Sequence, residues 1–306
     1  MKLFAFPRFD AMAHDLACSR ASVERGGFLT SRFANGELVI DLLDSVKGVE
    51  CAVLGTVAPP DQNLVEYLLL CDTLAREGAS RVIALLPYLA YQRQDHPEPG
   101  RSLAASWLGH LLMASGVNEI FTLDIHSLHA CEVFPIRLES LPVASLFVSA
   151  LGDRLRDDIT IVAPDEGAQD RCQALIKRSG LGLRFAHFEK RRTPEGVTSR
   201  LIGEVTNRVL IVDDILDTGE TLIACAEGLR TAGAREISIA VTHGLFTGTD
   251  WRRLWDLGIE EIVCTDSVGD IKTSGPRVRV MSCAGALEPG LAGMARPAGQ
   301  GAWAVD

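Results

Sequence analysis

Short apolar runs alternate along this chain with longer amphipathic segments, and that alternation restricts the fold more than any other feature. Cys51–Leu54 (CAVL), Arg81–Leu86 (RVIALL) and Glu119–Leu123 (EIFTL) read as strands. Between them, Asn63–Glu77 and Leu103–Ser115 place apolar residues at helical spacing. The pattern then repeats: strands at Thr160–Ala163, Arg208–Val212, Glu236–Val241 and Glu261–Thr265, and helices at Gly167–Ser179, Glu220–Gly233 and Thr249–Leu257. Strands that are apolar on both faces must be covered on both sides. Strands separated by helices do this as parallel sheets flanked by helices.

Two such series suit a chain of 306 residues, since one domain takes roughly 150. The expected layout is a domain over 1–145, a second over 146–282, and a tail over 283–306. The tail is rich in Gly, Ala and Pro, can hold at most a short helix, and is expected to be partly mobile. The rough similarity of the two series hints at duplication.

Thirty basic side chains against forty acidic ones give a net charge of −10. A general nucleic-acid binder carries the opposite balance, so any phosphate site must be a local cluster of cations. No two of the eight cysteines form a CxxC pair, which argues against zinc. Several sit in apolar runs as small hydrophobes, as in a reducing compartment. The apolar runs are too short to span a bilayer. No signal-peptide pattern opens the sequence, so a cytoplasmic location is expected.

The segment with the most chemistry is Val209–Leu222, VLIVDDILDTGETL. An apolar strand runs into two carboxylates, Asp213 and Asp214. Ligands of open α/β sheets bind at the carboxyl ends of strands, and paired acceptors there suit the vicinal hydroxyls of a sugar. Asp217, Thr218, Gly219, Glu220 and Thr221 then turn into a helix. Its first N–H groups, with the Thr218 and Thr221 hydroxyls, make an anion cradle. A plain strand, cap and helix would need less than this whole string. Neither GxxxxGK nor GxGxxG occurs, so P-loop and Rossmann sites are not supported.

VDDILDTGET resembles the phosphoribosyl-diphosphate (PRPP) loop of type I phosphoribosyltransferases and ribose-phosphate pyrophosphokinases. Other segments separate the two groups. PYLAYQRQD, at residues 87–95, resembles the PYxxYxRQD segment of the pyrophosphokinases, which phosphoribosyltransferases lack. RFANGE resembles their RFxxGE loop, FTLDIHS their DLH segment, VAPDEGA their SPDxGA segment, and HFEKRR their catalytic KxR loop. From Arg184 to Arg200 this last stretch holds five cations and two anions, the local cluster that an acidic chain needs. The motifs stand in family order from about Phe28 to Val268. The chain is identified on them as a member of the ribose-phosphate pyrophosphokinase (PRPP synthetase) family.

The resemblance implies two similar domains of the type I phosphoribosyltransferase-like fold, each a mainly parallel sheet flanked by helices. It implies transfer of the β,γ-diphosphoryl group of ATP to the C1 hydroxyl of ribose 5-phosphate, with Mg²⁺ as cofactor. Lys190 and Arg192 match the catalytic cations. Phe33, Asn35 and Glu37 match positions that reach the adenine in a neighbouring subunit's site. Arg93, Gln94, Asp95, Arg101 and His126 match the ATP-binding positions. Asp213, Asp214, Asp217, Thr218, Gly219 and Thr221 match the ribose 5-phosphate site, while His126 and Asp165 match the metal-site residues. Glu166 is taken as a bystander. Self-association as a dimer or hexamer is implied, with no nucleic-acid or membrane partner. The segment after His126 is closer to shorter archaeal-type forms, so phosphate activation and ADP inhibition do not carry over. A phosphoribosyltransferase and a non-catalytic regulatory relative are the alternatives.

Overall fold

A computed structural model describes residues 1–193, 196–269, 271 and 275–291; for 128, 153, 190–193 and 196–198 it describes the backbone alone. The chain divides into two compact units, Met1–Leu141 together with the segment from Cys283, and Pro142–Ser282.

The first unit runs β1 (Lys2–Ala5), α1 (Asp10–Ser19), β2 (Glu24–Arg25), β3 (Phe28–Arg32), β4 (Leu38–Leu42) and β5 (Glu50–Leu54). It continues through α2 (Gln62–Arg76), β6 (Arg81–Leu85), α3 (Ala104–Ala114), β7 (Glu119–Leu123), α4 (Leu128–Val133) and β8 (Arg137–Leu141). Six strands form one parallel sheet in the order β2-β1-β5-β6-β7-β8. β3 and β4 stand apart as an antiparallel hairpin. Leu3, Phe4, Val53, Leu54, Ile83 and Leu85 are buried on the sheet's two faces. Each such side chain contributes about 1.5–3 kcal/mol. β1 lies inside the sheet, although four residues of KLFA give too short a periodic signal to show it.

The second unit runs α5 (Ala144–Leu151), β9 (Ile159–Ala163), α6 (Gln169–Ser179), β10 (Arg184–Thr193), β11 (Gly196–Ile202) and β12 (Arg208–Leu216). It ends with α7 (Glu220–Thr231), β13 (Glu236–Gly244), α8 (Arg253–Asp256), β14 (Ile259–Thr265) and β15 (Val278–Met281). The sheet order is β11-β10-β9-β12-β13-β14-β15. All pairs are parallel except the β10–β11 hairpin. Ile211, Ile239, Val241, Leu229 and Leu254 pack in one cluster that joins sheet and helices.

Three expectations change. The first unit ends at Leu141 rather than residue 145. Cys283–Leu291 is part of the first unit, not a separate tail. There α9 (Ala284–Leu287) contacts β7 and α1, Cys283 and Leu287 are fully buried, and Gly290 lies so close to Leu85 and Phe121 that a Cβ would sit 2.9 Å from Leu85 Cδ2. The mobility expected of the last residues concerns 292–306, which lie outside the described residues. The helix expected over Thr249–Leu257 shrinks to a 3₁₀ turn and the single turn of α8. Gly258, at φ +75°, ends it.

Candidate functional site

In the second unit the chain leaves β9 for β10 on one side and then crosses to β12 on the other. The strand order therefore reverses between β9 and β12, and open α/β sheets leave a crevice at the carboxyl ends of such strands. Asp165 follows β9 there, Asp213 and Asp214 lie on β12, and Asp217 to Thr221 follow it. Pairing of β12 with β9 stops at Ile211–Val162, while pairing with β13 continues to Leu216–Gly244. Asp213 and Asp214 thus stand inside β12, beyond its last bond to β9. The sequence expectation had the strand end at Val212. It extends because β13 still offers partners.

Both carboxylates are buried, at 8% and 4% exposure. The Asp214 N–H donates to Asp213 Oδ1 at 2.9 Å. Arg171 on α6 places Nη1 3.9 Å from Oδ1 of each. Burial drives the Asp213 carboxyl well above the ordinary carboxylate range. The adjacent Asp214 and then the more distant Asp165 push the same way, and Arg171 opposes them. Asp165 follows β9 directly, half-buried, in extended backbone. Three carboxylates with one guanidinium make this end of the sheet locally anionic and rich in hard oxygen donors.

Beyond β12 the chain turns at Asp217 and Thr218 into Gly219, which heads α7 at φ +92°. A side chain cannot be accommodated at this position, since a Cβ would lie 2.8 Å from Trp251 Cα. The N-cap residue Gly219 has no side chain to cap the first N–H groups of α7. A negative group is favoured there by both the orphan donors and the helix dipole.

The matching crevice of the first unit, between β1 and β5, is filled. The Phe6 ring packs on Phe28 at 5.2 Å and against Tyr67 at 6.0 Å. Tyr67 is fully buried and donates its hydroxyl to the Val53 carbonyl at 2.8 Å. Aromatic carbon occupies the space in which the second unit gathers carboxylates.

Instead, the first unit's polar residues follow β6 and β7. Tyr91 and Asp124 adopt φ of +66° and +34°, backbone conformations that cluster at functional sites in non-glycine residues. Asp95 turns inward at 6% exposure, with Oδ1 2.7 Å from His96 Nδ1. Burial acts to raise its pKa, but hydrogen bonds from His96 and Ser127 prevail and hold it below the ordinary value. Gln94 accepts from the Ser102 hydroxyl at 2.5 Å, and Arg101 pairs with Glu98 at 2.8 Å. Arg93 and His126 are exposed. The β3–β4 tip is a tight turn: Phe33 N–H donates to the Glu37 carbonyl at 2.9 Å, and Glu37 N–H to Asn35 Oδ1 at 3.1 Å. The Phe33 ring is left 63% exposed.

Two residues go beyond the motif residues named from sequence. Gln92, almost fully buried, accepts the His126 N–H at 2.8 Å and so ties the two loops together. Arg171 is the carboxylates' cation. Gln92 could have been suspected from its place beside Arg93. Arg171 gives no local signal, since it lies six residues beyond Asp165 on an ordinary amphipathic helix. Lys190 and Arg192 stand on β10 opposite Ser199 and Val197; their side chains lie outside the described residues.

Among the described residues no three His, Cys, Asp or Glu side chains are grouped to hold a metal. Mg²⁺ does not need such a cage, because it keeps waters and takes one or two carboxylates plus substrate oxygens. Asp165 in its anionic, oxygen-lined surroundings fits that role. Among the described residues, no helix is long and apolar enough to cross a membrane.

Residues 1–116 match the family model for the N-terminal domain of ribose phosphate pyrophosphokinase, and residues 186–283 that of the phosphoribosyl synthetase-associated domain. A ribose-phosphate pyrophosphokinase of Chromobacterium violaceum is 32% identical over 281 residues, covering 89% of this chain and 83% of that protein. One from Mesorhizobium japonicum is 31% identical and covers 93% of each. The crystal structure of phosphoribosylpyrophosphate synthetase from Mycobacterium smegmatis superposes with a TM-score of 0.83 at 28% identity, over 94% of this chain and 96% of that one.

Proposed function

The chain belongs to the ribose-phosphate pyrophosphokinase family and forms PRPP, and from that premise we propose how its residues divide the work. The β12–α7 segment binds ribose 5-phosphate. Asp213 and Asp214 hold the vicinal hydroxyls of the sugar. Asp217, Thr218, Gly219 and Thr221 surround the 5-phosphate with hydroxyls and the first N–H groups of α7. The observation that carries this assignment is the gathering of carboxylates at the strand-order reversal, directly before a helix whose N-cap is a glycine.

ATP falls to residues of the first unit and of a neighbouring subunit. Arg93, Gln94, Asp95, Arg101 and His126 bind the nucleotide, and Phe33, Asn35 and Glu37 reach the adenine of a neighbouring subunit. The C1 hydroxyl oxygen attacks the β-phosphorus in line and loses its proton to solvent, the bond from that phosphorus to the α-phosphate bridging oxygen breaks, and AMP departs. Positioning and neutralisation of non-bridging oxygens supply most of the catalysis. Lys190 and Arg192 do this on the transferring group. Asp165 and His126 are the residues that would hold Mg²⁺, which would neutralise phosphate charge. We further infer self-association and a cytoplasmic location. The absence of disulfides, with all eight cysteines as free thiols, supports a reducing compartment.

Purified protein given ATP, Mg²⁺ and ribose 5-phosphate is expected to release AMP and PRPP in equal amounts. AMP release that is unchanged without ribose 5-phosphate would overturn the reading, and no AMP release under any condition would favour a regulatory relative.

A further inference from the structure

The turn that heads α7 is held from behind by a segment to which no motif assigned a role. Leu245 and Phe246 donate their N–H groups to the Leu216 carbonyl at 2.8 and 3.0 Å, and Thr247 donates to the Asp217 carbonyl at 3.1 Å. These bonds secure the end of β12 and the first residue of the phosphate turn. Phe246 makes them at φ +51°, a conformation that a bulky residue holds only when its surroundings impose it. What imposes it is aromatic packing. The Phe246 ring meets the Trp251 ring edge-on at 4.9 Å, and both are buried, at 5% and 3% exposure. Gly244 has no room for a Cβ, which would lie 2.5 Å from the Phe246 ring. The Trp251 backbone in turn lies directly under Gly219. Trp255 and Arg252 lie against the Trp251 ring from other sides, at 6.1 and 5.6 Å.

We propose that Trp251 and Phe246 are positioning residues for ribose 5-phosphate: their packed rings hold the backbone of Asp217–Gly219 in the shape that receives the 5-phosphate before the substrate arrives. Neither ring would touch the substrate. A site organised in advance binds more tightly because less freedom is lost on binding. The effect belongs to the sugar phosphate, because the backbone bonds of Leu245, Phe246 and Thr247 all end on the entry to the β12–α7 turn. The inference rests on the assignment of that turn to ribose 5-phosphate.

The test is steady-state kinetics on Trp251→Leu and Trp251→Phe, with direct calorimetric binding of ribose 5-phosphate. Trp251→Leu is expected to raise KM for ribose 5-phosphate about tenfold, with KM for ATP within twofold of the parent. Trp251→Phe, which keeps an aromatic edge for Phe246, is expected to recover most of the loss. An equal rise in both KM values, or no rise in either, overturns the proposal. Should Trp251→Leu fail to fold, Phe246→Leu is read by the same split. Thr218→Ala separates the inference from its premise. If Thr218→Ala weakens ribose 5-phosphate while the Trp251 variants do not, the brace is wrong and the phosphate turn stands. If Thr218→Ala also has no effect, the assignment of the turn itself fails.

Discussion

Arg171 is the cation that faces Asp213: its Nη1 lies 3.9 Å from Asp213 Oδ1, reaching from α6 toward a carboxylate that β12 keeps out of water. Asp214 is at the same distance, so one guanidinium offsets two buried acids. Replacing it by Leu leaves that pair uncompensated. Removing one partner of a buried ion pair costs up to about 3–5 kcal/mol, and the loose contact here places the expected loss near the lower end. Urea unfolding at pH 7 is the measurement. An unchanged midpoint for Arg171→Leu would show that the carboxylates are neutralised by something else.

Asp213 carries the opposite liability. Its pKa in the folded chain is raised, chiefly by burial, so the folded state holds the proton more firmly than the unfolded state. The stability it contributes is complete below the ordinary aspartate pKa and is lost as pH rises through the raised value. Asp213→Asn removes that penalty. The variant is expected to melt at a higher temperature than the parent at pH 7, with the gap closing as pH falls toward 4. It is also expected to bind ribose 5-phosphate more weakly. Melting curves across pH check the first part, and a variant that is less stable at pH 7 contradicts it.

Gly219→Ala tests the turn itself. A non-glycine residue forced to positive φ costs about 1–3 kcal/mol, and the new Cβ also meets main-chain atoms of Trp251 at 2.8 Å. Backbone cannot move aside as a flexible side chain can. Saturation with ribose 5-phosphate should be lost or shifted at least tenfold while the variant remains folded by circular dichroism.

Lys190→Ala addresses the chemical step. Loss of one charge-stabilising contact to a transferring group costs about 3–5 kcal/mol of barrier, on the order of 10²–10³ or more in rate. The expected change is in kcat, with little change in KM for ATP. Near-normal turnover would remove Lys190 from the mechanism.

Much of this fold is legible in the sequence because its central strands are apolar on both faces, and Arg81–Leu85 and Glu119–Leu123 are found where periodicity places them. The short edge strands are different. Val278–Met281 is too brief, and its exposure too mixed, for a period-two pattern to show. The carboxylates of β12 are legible as residues but not as strand residues, since a run of two acids looks like the end of a strand when the neighbour that prolongs it is unknown. Arg171 and the Trp251–Phe246 pair are invisible for a related reason. Each acts through contacts with residues distant in the chain, and no local spacing encodes those contacts. The filling of the first unit's crevice by Phe6, Phe28 and Tyr67 likewise emerges only when β1, β3 and α2 are brought together.

α7 begins at Gly219 without a cap from that residue's side chain, a deficit of a few tenths of a kcal/mol for an ordinary helix. An oxyanion resting on its first turn would supply the missing acceptor. Substrate occupancy and folding then become linked quantities: the phosphorylated sugar raises the unfolding temperature in proportion to the logarithm of its concentration once the site is saturated. Proteolysis of the purified chain is then expected to slow as ribose 5-phosphate is added.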